Sequence, residues 1–289
     1  MSKRAKAEAL LVVVTFIWGC SFVVVKAGLR DASPLAFLAV RCTLAGLLLL
    51  VVMGCGSKNR PALGPSLVLG IFLFGGFAFQ TSGQFYTTPA KCAFITGFSV
   101  ILVPLILWVS GGRLRSASFA GAGLGLAGIY LLVLPSGLEA VNRGDLLTLV
   151  AAVFFALHIV LVSRYTRRHS FLRLVPVQVL TVGLFAAAAL PLDGAAKLRW
   201  TPGLLLAFAY TSVFATGIAF SVQIWAQQYT PPAHTALIFA LEPVFAAFAS
   251  RVAMGERLGG KVLVGSALIL AGMVVSEIWG GSDPSPVEG

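Results

Sequence analysis

Residues 77–93 read FAFQTSGQFYTTPAKCA, and residues 220–236 read FSVQIWAQQYTPPAHTA. Both stretches hold Phe, Gln-x-x-x-Gln, Tyr-Thr-x-Pro-Ala and a further Ala at the same places, so that Phe77 corresponds to Phe220 and each later match keeps the same spacing. A constant spacing maintained over such a length is the pattern of an internal repeat. The sequence therefore predicts two related halves, with these stretches at equivalent places in the fold.

The repeat continues on both sides of this stretch at slightly different spacings. We call the spacing that relates Trp18 to Phe155 the early offset, the one that relates Phe77 to Phe220 the middle offset, and the one that relates Gly128 to Gly272 the late offset. The early offset also pairs Ser21 with His158, and the late offset pairs Gly121 with Gly265.

The composition is that of a membrane protein. Of the 289 residues, 58% are hydrophobic and 11% are charged, and the mean hydropathy is +0.95. A soluble domain of this length needs far more charge to cover its surface. The net charge of +11 comes from basic residues that mostly lie in short connections, where they contact lipid head groups. We therefore expect the lipid bilayer as a partner, and no nucleic acid.

Ten apolar runs are long enough to cross a bilayer, since a spanning helix needs about 20 residues. Pro104 and Pro243 interrupt the fourth and ninth runs, and we expect each to kink its helix. The first run has no small-residue cleavage site, so we expect it to be kept as a span. The runs are 7–27, 34–54, 66–86, 90–109, 117–134, 144–163, 172–190, 203–227, 233–253 and 261–279.

Each half holds five of these spans, in residues 1–136 and 137–281, and residues 282–289 are expected to form a short disordered tail. An odd number of spans makes the second copy enter the membrane from the opposite side. The predicted fold is therefore an all-α integral membrane protein of ten transmembrane helices, built as two inverted five-helix repeats around a central cavity. The basic residues of the first five connections predict that both termini are cytoplasmic.

Short motifs give the chain a resemblance to a known family. They are Phe16-Ile17-Trp18-Gly19, Arg41, the turn from Gln84 to Pro89, Glu242-Pro243, Gly255-Glu256-Arg257-Leu258 and the helix from Gly265 to Gly272. With them the chain resembles the EamA-type drug/metabolite transporter (DMT) superfamily over nearly its whole length. The resemblance implies a ten-helix basket in the bacterial inner membrane, with a cavity lined largely by the third, fourth, eighth and ninth helices. Members export amino acids and other metabolites, or exchange nucleotide sugars and sugar phosphates.

The first half departs from the family pattern at two places. Gly112 stands where the second half has Glu256, and Val100 aligns with Pro243. Equivalent roles for these positions in the two halves are therefore not expected.

Polar and aromatic side chains inside the spans are the candidates for substrate contact. An amide in hydrocarbon needs a partner, so the glutamines either bond neighbouring helices or face a cavity as a symmetric set. Aromatic side chains in the same helices either pack or form cavity walls. The candidate substrate-binding residues are Trp18, Phe77, Gln80, Gln84, Tyr86, Phe155, His158, Phe220, Gln223, Gln227, Phe239 and Glu242.

Three ionisable side chains well inside the apolar runs are further candidates, because a charge there is costly and is either paired or functional. For Glu242 we expect proton or ion coupling or contact with a cation, the alternative being a partner on a neighbouring helix. His158 is a second candidate for coupling, although a satisfied packing histidine is favoured. Arg41 is a buried charge for which we expect structural pairing; snorkelling and binding of a substrate carboxylate are the alternatives.

The sequence favours a secondary transporter that exports amino acids or similar small neutral or zwitterionic metabolites by alternating access. Exchange of nucleotide sugars or sugar phosphates is the alternative on the same fold. It is disfavoured because the basic residues concentrate at the membrane edges. An intramembrane enzyme would need a convergent nucleophile and base, and a channel would show a filter-like segment or charge rings. We see neither, and no phosphate-binding loop, in the sequence.

The expected partners and ligands follow from these patterns. We expect a small-molecule substrate, no cofactor, no metal, and a monomer or weak homodimer. The Gly-x-x-x-Gly spacing of the fifth span, with Gly265 and Gly272 of the tenth, predicts helix packing within the monomer, a dimer interface being the alternative. Cys20, Cys42, Cys55 and Cys92 show no metal-ligand spacing and are expected to be small apolar packing residues.

Overall fold

The computed structural model describes residues 2–53, 62–111, 116–133, 142–194, 196–230, 235 and 238–280, with backbone alone for 118, 132–133 and 276–280. The predicted disordered tail, residues 282–289, and the start of the ninth predicted span lie outside these residues. The described part is helical almost throughout, as the apolar runs predicted.

Within the described residues, ten helices occupy the places of the ten predicted spans. Seven of them, the first four and the sixth to eighth, are long and apolar enough to cross a membrane by length and composition. They are α1 Lys3–Gly28, α2 Pro34–Met53, α3 Leu63–Tyr86, α4 Pro89–Val109, α5 Ser116–Val133, α6 Arg143–Tyr165, α7 Phe171–Ala188, α8 Pro202–Ala226, α9 Glu242–Met254 and α10 Gly260–Gly280.

Helix starts follow ordinary capping chemistry. Thr88 precedes Pro89 at the start of α4, and its Oγ1 accepts a hydrogen bond from Lys91 N at 3.4 Å. Thr201 does the same before Pro202, accepting from Leu204 N at 3.2 Å. A side-chain acceptor at the N-cap satisfies an otherwise unpaired amide, and proline fits the first helical position. The same Thr-Pro pair thus begins two of the spans.

Three prolines lie within or near mid-helix, including the two expected to kink their helices. Pro104 lies inside α4, which continues through it, and Pro176 lies inside α7. Pro243 instead lies in the first turn of α9, after a break at residues 240–241. Since proline has no N–H, Pro104 cannot donate the α-helical hydrogen bond to the carbonyl of Val100, whereas Pro243 lies in a first turn, where no such bond is made.

The helix pairs reveal the twofold relation between the halves. Corresponding helices pack on each other, α2 on α7, α4 on α9 and α5 on α10. The neighbours are reciprocal as well, since α3 packs on α6 while its counterpart α8 packs on α1. An internal twofold axis produces this pattern, because each contact of one half is returned by the other. The inverted-repeat fold predicted from the odd number of spans is confirmed.

Glycines show the same reciprocity at atomic distances between α2 and α7. A Cβ placed on Gly46 would lie 2.9 Å from Leu180 N, and one placed on Gly183 would lie 2.7 Å from Thr43 N. The early offset converts the first pair into the second, since it relates Gly46 to Gly183 and Thr43 to Leu180. Backbones approach this closely only where small residues meet.

The contact between α5 and α10 repeats the arrangement. A Cβ on Gly128 would lie 2.6 Å from Gly265 O, and one on Gly272 would lie 2.6 Å from Gly121 O. The late offset relates these two contacts, because it pairs Gly128 with Gly272 and Gly121 with Gly265. The glycines predicted to pack helices therefore join the two halves within one chain.

We expect Gly128→Ala and Gly272→Ala each to lower the free energy of unfolding by about 1–3 kcal/mol, because the added methyl group meets backbone that cannot move aside. Gly123→Ala is the matched control in α5, because a Cβ there meets no described atom within 4 Å. Thermal unfolding of purified protein in detergent measures all three. Equal stability of Gly128→Ala and Gly123→Ala would contradict the contact.

Candidate functional site

A central cavity of about 70 Å³ lies between the two halves, which is room for several water molecules. Helices α1, α2, α3, α4, α6, α8 and α9 contribute to it, whereas α5, α7 and α10 do not. The lining residues are Trp18, Ser21, Phe22, Val25, Arg41, Phe77, Gln80, Thr81, Gln84, Thr96, Gly97, Ser99, Val100, Phe155, His158, Ile159, Phe220, Gln223, Phe239 and Glu242.

Five aromatic side chains form a continuous aromatic wall of this cavity. Trp18 lies with its ring centroid 5.1 Å from that of Phe220 and 5.2 Å from that of Phe239. Phe77 lies 5.6 Å from both Phe155 and Phe220. Ring pairs at these distances attract each other beyond their buried area. The aromatic wall thus joins α1, α3, α6 and α8 around one apolar surface.

A π-helical segment in α8 fixes the orientation of Trp18. Residues Tyr210–Ile218 form this segment, and Trp18 Nε1 donates a 2.7 Å hydrogen bond to the carbonyl of Ala215 within it. The Tyr210 hydroxyl donates in return to the carbonyl of Ile17 at 2.9 Å. Such segments replace the α-helical bonding pattern and often occur at functional sites. Sequence patterns gave no sign of this segment.

Gly19, the next residue of the same motif, lets α1 approach the start of α9. A Cβ on Gly19 would lie 2.6 Å from Phe245 Cβ and 3.0 Å from the carbonyl of Glu242. The motif of residues 16–19 therefore does two things at neighbouring positions. Trp18 contacts α8, and Gly19 leaves room for the first turn of α9, from which Glu242 lines the cavity.

Three of the four repeated glutamines line the cavity. Gln80 Nε2 donates to Thr96 Oγ1 at 3.1 Å, and Gln84 Nε2 donates to the carbonyl of Phe22 at 2.5 Å. Gln223 Nε2 donates to Gln227 Oε1 at 3.3 Å, while its own Oε1 is buried without a partner among the described residues. The amides therefore both bond neighbouring groups and present atoms to the cavity.

Two predicted substrate-binding residues do not reach the cavity. Gln227 lies one turn beyond Gln223, and its Nε2 donates to Ser163 Oγ at 3.5 Å. Tyr86 lies at the end of α3, 43% exposed, with the Arg143 guanidinium 4.6 Å from its ring centroid. Both sit toward the ends of their helices, which a pattern of residue types does not reveal.

Among the described residues that line the cavity, Arg41 is the one Lys or Arg side chain, and Glu242 is the one carboxylic acid. Arg41 is 4% exposed, with its guanidinium carbon 4.3 Å from the Phe77 ring centroid. Its Nε has no hydrogen-bond partner among the described residues, and no described carboxylate oxygen lies within 4 Å of it. Among the described residues, the Arg41 guanidinium therefore contacts an aromatic face and forms no ion pair, and structural pairing with backbone carbonyls stays a prediction.

His158 is held by a neighbouring helix. Its Nε2 lies 3.3 Å from Gln178 Oε1, and its ring centroid lies 6.2 Å from that of Phe220. At the early offset Gln178 corresponds to Arg41, and His158 corresponds to Ser21. The described residues contain no group of three or more His, Cys, Asp or Glu that would hold a metal ion.

The fourth helix is expected to line the cavity, but the candidate residues taken from the sequence include none from α4. Thr96 and Ser99 line it, and at the middle offset they correspond to Phe239 and Glu242. The repeat therefore contained the signal, because each candidate in one half points to a position in the other. Small hydroxyl side chains are too common in membrane helices to stand out alone.

A polar cluster lies at the face where α1 ends, which we call the distal face. Lys91 Nζ forms an ion pair with Asp145, whose side chain is fully buried, and Thr87 Oγ1 donates to Asp145 Oδ1 at 2.7 Å. Lys26 Nζ donates to the carbonyls of residues 84, 85 and 87, at 2.8, 3.0 and 2.9 Å. We call Lys26, Thr87, Lys91, Asp145 and Glu256 the distal seal.

Glu256 ties the distal seal to the connection between α9 and α10. Its Oε2 accepts hydrogen bonds from Ala90 N at 3.4 Å and from the Ser250 hydroxyl. The distal seal therefore joins the first half, through the turn between α3 and α4, to two separate elements of the second half. Separation of the halves at this face requires these charged contacts to break.

Comparison with known proteins gives the chain clear relatives. Residues 5–134 and 142–277 each match the EamA-like transporter family. An uncharacterized transporter of Archaeoglobus fulgidus is 34% identical over 94% of this chain and 86% of its own length. A probable amino-acid metabolite efflux pump of Salmonella typhimurium is 28% identical over 96% of this chain and 95% of its own. An uncharacterized inner membrane transporter of Escherichia coli is 27% identical over 90% and 85%.

A solved crystal structure shares the fold. It superposes with a TM-score of 0.70 over 95% of this chain and 97% of the solved chain, at 22% sequence identity. Identity at this level extends the likeness to the arrangement of the helices and no further.

We expect Asp145→Asn to expose Cys92, which is fully buried beside Thr148 beneath the distal seal. Breaking a buried ion pair costs about 3–5 kcal/mol, so maleimide labelling of Cys92 should speed up more than about tenfold. The measurement uses a chain whose other three cysteines are alanine. Asp31→Asn is the control, since Asp31 lies at the same face but bonds Thr201 at 2.8 Å. Unchanged labelling of folded Asp145→Asn would refute the role of the seal.

Proposed function

The chain belongs to the EamA-like transporter family, and from this membership and its cavity we propose that it exports amino acids or similar small neutral or zwitterionic metabolites. The observation that carries the proposal is a cavity between inverted halves that combines an aromatic wall with amides, hydroxyls, one guanidinium and one carboxylate. Secondary transporters bind substrates near the bilayer midplane between their repeats. The name of the Salmonella typhimurium relative supports amino acids as the substrate class.

The charges of the cavity favour this cargo over phosphorylated sugars. Arg41 is a single cation opposed by Glu242 in the same lining. A phosphate group carries one or two negative charges and is bound by clusters of cationic donors. Glu242 would repel such a group, whereas a zwitterion presents one charge of each sign. Nucleotide sugars and sugar phosphates are therefore the less favoured cargo.

The two ends of the cavity are closed by different chemistry, which suggests how access alternates. At the early offset Lys26 of the distal seal corresponds to Ser163 at the opposite face. Lys26 donates to the main-chain carbonyl of Gln84, and Ser163 accepts from the side-chain amide of Gln227, the counterpart of Gln84. The distal contact involves a charge and the opposite one does not. Charge-assisted hydrogen bonds are roughly twice as strong as neutral ones. Across the distal face, Lys91 of the first half and Asp145 of the second form an ion pair, so export through this face requires that pair to break.

The location and assembly follow from the same proposal. We place the chain in the bacterial inner membrane with both termini cytoplasmic, so the distal face is external and substrate enters from the cytoplasmic face. The partners are the small-molecule substrate and surrounding lipid, and the two halves within one monomer form the complete site.

Glu242 is the favoured coupling residue. Its carboxylate has no hydrogen bond or ion pair with any described residue, whereas His158 is engaged by Gln178. A carboxylate that faces a cavity without a partner can hold a proton in one step and release it in another. We therefore assign proton coupling to Glu242 and a packing role to His158.

Counterflow in proteoliposomes with a panel of amino acids, nucleotide sugars and sugar phosphates tests the cargo. We expect uptake of labelled apolar amino acids, and about tenfold weaker binding in Gln80→Ala, because a substrate-facing amide is lost. Gln228→Ala is the control, since Gln228 does not line the cavity. Failure of correctly inserted protein to bind or move any member of the panel would refute the proposal.

Glu242→Gln tests the coupling. We expect counterflow to require higher substrate concentrations, and the stimulation of transport by an imposed pH gradient to disappear even at saturating substrate, because the amide cannot bind and release a proton. His158→Gln should keep the stimulation. Transport measured against gradients of both signs distinguishes these outcomes, and an unchanged response in Glu242→Gln would remove the proton role.

A further inference from the structure

Arg41 and its counterpart in the second half differ in their partners. A side chain of the second half bonds the counterpart, whereas Arg41 has no such bond among the described residues. Gln178 corresponds to Arg41, and its Oε1 lies 3.3 Å from His158 Nε2. Ser21, the counterpart of His158, instead donates to the carbonyl of Trp18 at 2.7 Å. By symmetry the Ser21 hydroxyl would face Arg41, but it donates its hydrogen bond within its own helix instead.

Arg41 is left with a guanidinium that faces the cavity with donors to spare. The Phe77 ring contacts the guanidinium at 4.3 Å from carbon to centroid, and Nε is buried without a partner among the described residues. A guanidinium whose face contacts an aromatic ring keeps its in-plane N–H groups for a planar oxyanion. A carboxylate accepts two such N–H bonds in parallel, which gives the strongest pairing available to arginine.

Glu242 offers the complementary charge in the lining of the same cavity. It is the first residue of α9, where the helix N-terminus favours a negative side chain. No described cation lies within 4 Å of its carboxylate oxygens, so Arg41 and Glu242 do not pair with each other. Two opposite charges that share a cavity without touching leave space for a ligand that bridges them.

The aromatic wall supplies the third point of contact. Phe77 contacts Arg41, and Trp18 contacts both Phe220 and Phe239. Phe239 precedes Glu242 by three residues in the chain, and both line the cavity. The wall therefore contacts Arg41 and shares the cavity lining with Glu242, so an apolar group attached between an anion and a cation would lie against it.

We propose that Arg41 and Glu242 form a two-point site for α-amino acids with apolar side chains. Arg41 binds the α-carboxylate, Glu242 binds the α-ammonium group, and the aromatic wall contacts the side chain. This inference deepens the proposed function and rests on it, since it specifies how the same cavity selects its substrate class. It also gives the buried Arg41 the partner that the described residues do not supply.

Three ligands of matched size test the site on the unmodified protein in detergent, by competition with labelled leucine. 3-Methylbutylamine lacks the carboxylate of leucine, 4-methylpentanoate lacks its ammonium group, and neither is larger than leucine. We expect each analogue to bind about ten- to a hundredfold more weakly than leucine, because one charge-assisted contact is lost. If either analogue bound as tightly as leucine, the two-point site would be wrong.

Variants assign each contact to its residue. In Arg41→Gln, leucine should bind no better than 3-methylbutylamine, whose own affinity is unchanged; in Glu242→Gln, leucine should bind no better than 4-methylpentanoate. Arg251→Gln, which removes an exposed arginine of α9, should leave all three affinities unchanged. If Arg41→Gln does not fold, Arg41→Lys keeps the charge and should keep the preference for leucine over the amine.

The outcomes separate this site from the proposed function. Counterflow of leucine without discrimination between the three ligands would overturn the two-point site and leave amino-acid export standing. A folded Arg41→Gln or Glu242→Gln that kept the full wild-type preference would do the same. Absence of binding by any member of the counterflow panel would refute the export proposal and this site with it.

Discussion

A backbone inside a bilayer must satisfy its hydrogen bonds within the protein, and the structure depends on this constraint. It makes the spans helical and confines every departure from the α-helix to places that protein or a cavity covers. Three of the departures in the described residues lie at the cavity, although Pro176 lies inside α7, which does not line it. Pro104 leaves the carbonyl of Val100 without its α-helical donor, Pro243 follows the break before α9, and the π-helical segment gives Trp18 its acceptor at Ala215. The site is therefore built where the helices are irregular.

The same constraint explains why glycine joins the halves. Apolar side chains gain nothing by leaving lipid for another helix, so helices associate through close backbone contact and polar bonds. Gly46 and Gly183 provide it between α2 and α7, and Gly128 and Gly272 between α5 and α10. These pairs lie away from the cavity lining. The symmetric contacts thus hold the frame, while α1, α3, α4, α6, α8 and α9 are left to shape the cavity.

Function resides in the places where the two halves differ. Glu242 stands opposite Ser99 in the repeat, Arg41 opposite Gln178, and Lys26 opposite Ser163. The first two differences give the cavity its two charges, and the third places a charged contact at one face. Identical halves would make a cavity without a preferred substrate orientation and two equally strong closures. Divergence after duplication therefore gives the cavity two charges of opposite sign and gives the distal face a charged contact.

The sequence by itself determined the ten spans, their division into inverted halves and most of the cavity candidates, because each depends on apolar length or on the repeat. Tertiary structure alone decided that Gln227 and Tyr86 lie outside the cavity, that Thr96 and Ser99 line it, and that Arg41 meets an aromatic face. The physical reason is that periodicity assigns a residue to a helix. Its depth, its facing partner and the local π-helical geometry depend on how helices distant in sequence pack together.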